Sequence, residues 1–320
     1  MRYSLAFVAA IAATVQAHGV ITEIQGANGV NMPGLSVKDG TPRDCPTPGC
    51  GSEADTSIIR AREMGGKASA LGRTKAGPVD AAAAISSFMG GAAGASAGAS
   101  AATGATAATG ATAATGATTA KGAKSVAANA NNARGLLDAL TGGAGGAGKG
   151  KAGAGASASG TKTPKGTSET GVKAAAGAGA SSGLPTTSAD GTITMTFHQV
   201  NQDGAGPLTA QIDATSCGTD PAAFQDATVT QNVPGIGIGG LSGATTMDFA
   251  VKVQMPAGMT CQGTAAGATN VCVVRMQNSA LAGPFGGSAA FTQSTAARKR
   301  AVEFNLRKRH MVRGILGKPE

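Results

Sequence analysis

The chain has 320 residues and a formal net charge of +9, yet only 3% of it is aromatic, none of it is Trp, and 51 residues are Gly. A chain this poor in large apolar side chains cannot build a core along its whole length, so part of it stays outside any folded domain. The basic excess sits in two stretches, Gly90 to Ser182 and Arg298 to Glu320, each with eight Lys/Arg against two acids, so the basic charge of the chain does not indicate a nucleic-acid groove on the folded part.

Residues Met1 to Ala17 carry Arg2, an apolar run from Leu5 to Val15 and small residues at Val15 and Ala17. This predicts a secretory signal peptide, too short to span a membrane. Cleavage after Ala17 makes His18 the first mature residue. Its α-amine and Nδ1 can then close a chelate ring on one metal ion, and a second histidine completes a three-nitrogen site that favours copper. The other histidines are His198 and His310. Against this stands the plain alternative that His18 is an ordinary residue with no role beyond its place after the cleavage site.

From His18 to Gln25 the residues alternate as in a strand, which would hold the α-amine still. Asn28 to Gly51 is a Pro/Gly-punctuated loop. Asp55 is positioned to cap a short helix through Ile58, Ile59 and Arg62 to Met64, and Pro78 and Asp80 to open another over Ala81 to Met89. The five cysteines, Cys45, Cys50, Cys217, Cys261 and Cys272, predict disulfides with one thiol left over, their pairing open. A zinc knuckle from Cys45 and Cys50 is the weaker alternative.

Gly90 to Ser182 is Ala, Gly, Ser and Thr with scattered Lys, and Ala101 to Thr118 is three copies of Ala-Ala-Thr-Gly-Ala-Thr. Such small side chains do not offset ordering entropy, so this is a disordered, O-glycosylated spacer, with a transient helix over Gly135 to Leu140. Order resumes at Asp190. Thr192 to Val200 places Ile193, Met195 and Phe197 on one face and His198 with three threonines on the polar one. Met247 to Met255 and Asn270 to Gln277 alternate likewise. Short strands separated by Gly/Pro turns predict a mainly β fold, an antiparallel immunoglobulin-like β-sandwich made of 18–89 and 183–297. Residues 298–320 form a basic disordered tail. His310 inside it is a poor ligand, and the chain has no nucleophile elbow and no acid pair spaced for hydrolysis.

Several motifs carry a family resemblance: His18-Gly-Val-Ile, the cysteine loop Asp39 to Gly51, Thr196-Phe-His-Gln-Val-Asn-Gln-Asp-Gly-Ala-Gly-Pro207, Val271 to Asn278, and Gly283-Pro-Phe-Gly-Gly287. In these the chain resembles the Egh-type family, secreted fungal surface proteins associated with appressorium formation and virulence. The match covers about His18 to Met89 and Leu184 to Gln293. It implies a secreted or cell-surface protein acting in host penetration.

A looser resemblance is to lytic polysaccharide monooxygenases, secreted copper enzymes with an N-terminal histidine brace on a β-sandwich. It implies copper held by the His18 amine and Nδ1 with His198 as the third nitrogen. The resemblance also implies an axial aromatic with a nearby Gln or Glu. The mature chain has no Tyr, so Phe291 with Gln293 are the candidates. The implied partner is a cell-wall polysaccharide such as chitin or glucan, bound by a monomer with no nucleic-acid partner and no membrane span. Without Trp or Tyr to stack on sugar, Asn201, Gln202 and Asp203 would have to hold it. Whether the protein is an enzyme or a non-catalytic copper-binding or adhesive surface protein stays open at this point.

Overall fold

β-Branched and aromatic residues at every second position make strands wherever the sequence alternates. The computed structural model describes residues 18–91, 156–236 and 240–316. They belong to the unit formed by Met1–Gly94 with Gly153–Glu320; the second unit, Ala95–Ala152, lies outside the described residues. So do residues 1–17, where a signal peptide is expected, and the apolar island Gly135 to Leu140.

The first part of the chain supplies β1 (Gly19–Gln25), β2 (Asn31–Pro33), β3 (Ser57–Ile58), β4 (Arg73–Thr74), β5 (Gly77–Pro78) and α1 (Ala81–Phe88). After the undescribed segment come β6 (Ala156–Ser157), β7 (Gly160–Lys162), α2 (Gly171–Ala175) and α3 (Gly179–Ser182). The remaining strands are β8 (Thr192–Gln199), β9 (Thr209–Asp213), β10 (Phe224–Asn232), β11 (Met247–Gln254), β12 (Gly263–Ala265), β13 (Ala268–Gln277) and β14 (Phe285–Thr292). A helix, α4 (Thr295–Leu316), comes last.

The strands run in the order β2-β1-β8-β11-β10-β9-β13-β14-β3-β4-β5. Apart from β6, which pairs in parallel with β10, the named strands pair antiparallel. The sheet folds over at β10, whose Phe224–Ala227 pairs with β9 while its Thr228–Gln231 pairs with β11. The two limbs close on each other where β14 meets β1. There the Leu35 amide donates to the Ser288 carbonyl at 2.8 Å, and a Cβ on Gly287 would come within 2.6 Å of the Ile21 nitrogen. Between the limbs lie Ile21, Met195, Phe197 and Val251 from one side and Ile212, Val274 and Phe291 from the other, all buried. This is the β-sandwich that the alternation predicts.

β8, β11 and β13 fall within a few residues of their predicted bounds. On β11, Phe249, Val251 and Val253 face the core and Lys252 faces solvent. Asp80 caps α1 as expected, accepting from the Ala83 amide at 3.0 Å. The helix expected after Asp55 is absent: Ser57–Ile58 is a strand and Ala61–Glu63 a single 3-10 turn. The carboxylate of Asp55 does not cap anything there. It pairs with the Arg43 guanidinium at 2.6 and 3.0 Å, leaving the first turn without an acceptor.

Two further boundaries differ from the sequence expectation. The folded second part begins by residue 156, because β6 and β7 add to β10 and β11. Residues 298–316, expected in a disordered tail, continue a 22-residue helix that begins at Thr295. Cys45 pairs with Cys50 and Cys261 with Cys272, and the left-over thiol is the buried Cys217.

Candidate functional site

β1 places His18 by pairing along β8, with Gly19 opposite Gln199 and Val20 opposite His198. The His18 carbonyl accepts from the Val200 amide at 3.0 Å, continuing the ladder one step. Gly19 stands next because a Cβ there would sit 2.2 Å from the Phe197 ring. Gly204 has an equally local reason: its Cβ would lie 1.9 Å from the His18 carbonyl oxygen. Only glycine lets the Asn201–Gly204 turn press so closely on the strand start.

Three side chains then fix His18 itself. Its backbone nitrogen donates to Asn201 Oδ1 at 2.7 Å. Its Nδ1 faces Glu53 Oε1 at 3.1 Å. Its ring lies against Phe285, with centroids 4.4 Å apart and planes tilted by 40°. Asn201 Nδ2 also donates to Glu53 Oε1 at 3.4 Å, so the amide and the carboxylate brace each other as well as the histidine. His18 is only 7% exposed and Glu53 3%. Burial pushes the Glu53 carboxyl above the ordinary range; Lys75 pulls it down, and Asp203 pushes it further up. Burial raises the Asp203 carboxyl too.

His198 is the next histidine along the same face of the sheet. The predicted polar face holds for its neighbours Thr192, Thr194 and Thr196, but His198 itself is fully buried. Its Nδ1 lies 2.7 Å from Asp248 Oδ1, directly across the β8–β11 ladder. Its Nε2 is buried and has no hydrogen-bond partner among the described residues. A carboxylate on Nδ1 fixes the tautomer that leaves the Nε2 lone pair unprotonated, which is how ligating histidines are commonly held.

No three of His, Cys, Asp and Glu gather into a metal-sized group among the described residues. The two histidines therefore stand in two pairs, His18 with Glu53 and His198 with Asp248. The other two candidates lie elsewhere. Phe291 is a core residue opposite Cys272, six residues along β14 from Phe285 and so about 20 Å away. The Gln293 amide is held by the Cys261 nitrogen and the Met259 carbonyl. The aromatic side chain that meets His18 is Phe285. His310 lies exposed on α4.

Glu53 and Asn201 are the site residues that spacing alone does not single out. Glu53 sits three residues after the Cys45–Cys50 loop, in a stretch without periodicity, and reaches His18 through tertiary contact. Asn201 opens the Asn-Gln-Asp-Gly turn, which marks it as a loop residue but not as a partner of the strand start.

Fold and site together define a class: a disulfide-bonded antiparallel β-sandwich that pins a histidine at the start of its first strand with a buried carboxylate and amide. The chain belongs to the Egh16-like virulence factor family, whose model matches residues 16–286. It is 56% identical over 319 residues to the appressoria-specific virulence factor GAS2 of Pyricularia oryzae, covering 98% of this chain and 97% of that one. The appressoria-specific virulence factor GAS1 of the same fungus is 40% identical over 135 residues, 41% of this chain and 52% of its own. No solved structure matches the chain.

Proposed function

We propose that the chain is a secreted surface protein acting in host penetration, and that signal cleavage after Ala17 turns His18 into a copper ligand with His198 as the further nitrogen. The likeness to GAS2, an appressoria-specific virulence factor, supports the first half. The observation that carries the second is the immobilisation of His18 by Asn201, Glu53 and Phe285, two residues along the β1–β8 ladder from His198, whose buried Nε2 has no hydrogen-bond partner among the described residues. The donor set, two imidazoles and an amine, fits copper.

Copper bound there supplies one-electron chemistry toward dioxygen or peroxide, which an exposed C–H bond of chitin or another wall polysaccharide could feel. The chain's own contribution is positional. Val200 and Asn201 fix the backbone of His18, Asp248 fixes the tautomer of His198, and Phe285 shields one side of the His18 ring from water. A non-catalytic copper-binding or adhesive protein is the second reading, favoured by the absence of Trp and by the only Tyr being Tyr3.

Intact mass and N-terminal sequencing of the secreted protein, and then Cu(II) titration with electron paramagnetic resonance, test this on wild type, His198→Ala and Glu53→Gln. A start at His18 with an axial nitrogen signature that changes in His198→Ala supports the site as described. A signature that survives His198→Ala and is lost in Glu53→Gln moves the third ligand to the carboxylate. Any other start, or no copper signal, removes the metal and leaves the surface protein alone.

A further inference from the structure

α4 carries seven Lys/Arg against one Glu over its 22 residues. One stripe of it packs down: Ala297 and Ala301 are buried, and Asn305 donates to the Gly258 carbonyl at 2.9 Å. At about 100° per residue the outward side carries Lys299, Val302, Glu303 and Leu306, with Arg309 and Arg298 along its edge, Arg298 one helical turn before Val302. Val302 is 45% exposed and Leu306 48%. Arg298, Lys299 and Arg309 are exposed as well, and none is in an ion pair among the described residues.

This pattern differs from a merely solvated helix in two ways. Its seven cations outnumber the one acid, Glu303, which stands four residues from Lys299 and from Arg307 without an ion pair to either among the described residues, and the outward stripe holds two branched apolar side chains where a solvated face would hold polar ones. Unpaired cations seek anions, while exposed Val and Leu seek an apolar phase. A bilayer with anionic headgroups offers both within one helix diameter, whereas an anionic polymer offers only the charge.

We propose that α4 is a membrane-surface element: its outward stripe lies on an anionic bilayer, Val302 and Leu306 entering the headgroup region and Arg298, Lys299 and Arg309 meeting lipid phosphates and carboxylates. It does not cross the bilayer, since no helix among the described residues is long and apolar enough to do so. The folded sandwich stays on the water side, tethered through Ala297, Ala301 and Asn305.

The test is co-sedimentation of the full-length secreted protein with phosphatidylcholine vesicles containing none or about 30% phosphatidylserine, at low salt and at about 0.5 M NaCl, where the screening length is about 4 Å. Wild type is expected to pellet with the anionic vesicles at least tenfold more than with the neutral ones, and to lose most of that binding in high salt. Val302→Ser/Leu306→Ser should lower the partition several-fold, and Lys299→Glu/Arg309→Glu at least tenfold. All four residues are exposed, so thermal melting of the sandwich should be the same in the variants as in wild type. Three results overturn the proposal: no preference for anionic vesicles, equal binding by Val302→Ser/Leu306→Ser and wild type, or capture by a soluble polyanion that the apolar variant retains in full. The last would make α4 a polymer-binding element.

Discussion

At the scale of single residues, the Arg43 guanidinium is buried together with the two carboxylates that neutralise it. Arg43 is 4% exposed, bonded to both oxygens of Asp55 and to Glu169 Oε2 at 2.9 Å. Burial alone would lower its basicity, but the Asp55 and Glu169 carboxylates more than reverse that and hold the proton on. Removing one member of such a set leaves a buried charge unpaired, so Arg43→Ala should cost about 3–5 kcal/mol in a urea melt, far more than truncating an exposed Lys. The Glu169 contact also ties the first part of the chain to the second. Sequence periodicity points to His18 and His198, because an N-terminal position and an alternating strand are local properties. It does not point to Glu53, Asn201 or Phe285, because their role exists only once strands far apart in sequence have paired.

At the scale of elements, alternation locates the strands, and it gives their inside and outside where one face is wet but not where both are covered. β11 keeps its inside and outside as the alternation has them. β13 does not: Val271 to Met276 are all buried. Arg275 on its outer face reaches the Ala70 carbonyl and Gln211, lying over the Phe224 ring at 4.0 Å, so a distant loop closes a face that the pattern leaves open. The turn after β9 rests on one carboxylate. Asp213, fully buried, accepts from the amides of Thr215, Ser216 and Gly218 at 2.8, 2.9 and 2.6 Å, in a turn where Cys217 takes a left-handed φ of 55°. Burial opposes its charge, but Ser216 and these amides lower its pKa below the ordinary value. A carboxyl depressed on folding adds stability that is complete above its unfolded pKa of about 3.9 and is lost as pH falls through the lower folded value. Asp213→Asn should therefore lose about 2–4 kcal/mol at pH 7, and the gap to wild type should narrow as melts are taken below about pH 4.

At the scale of the whole molecule, one sandwich is assembled from two distant parts of the chain, and composition marks the division between them only roughly. Gly, Ala and Thr richness runs on to Ser182, but folding resumes by residue 156, since β7 needs only backbone groups and Gly160 to pair beside Phe249. Contacts within Met1–Gly94 and Gly153–Glu320 define that unit without Ala95–Ala152. Replacing residues 95–152 with a flexible Gly/Ser linker of about 20 residues should leave the sandwich folded and raise its stability by about 1 kcal/mol through a shorter closure loop. Loss of cooperative melting in that variant would mean the excised unit supports the fold.

The pairing of β1 with β8 also sets a schedule. Val20 waits for His198, which leaves the ribosome 178 residues later, and at ordinary elongation rates that is about 10–40 s. Through that interval β1 has β2 on one side only and its β8-facing edge is open, and the Ala/Gly/Thr repeats downstream of it lack the alternating apolar residues with which that edge could pair wrongly. The order of synthesis makes β1 and His18 wait for their partner strand, and a chaperone that holds extended apolar segments would find its target there before the sandwich can close.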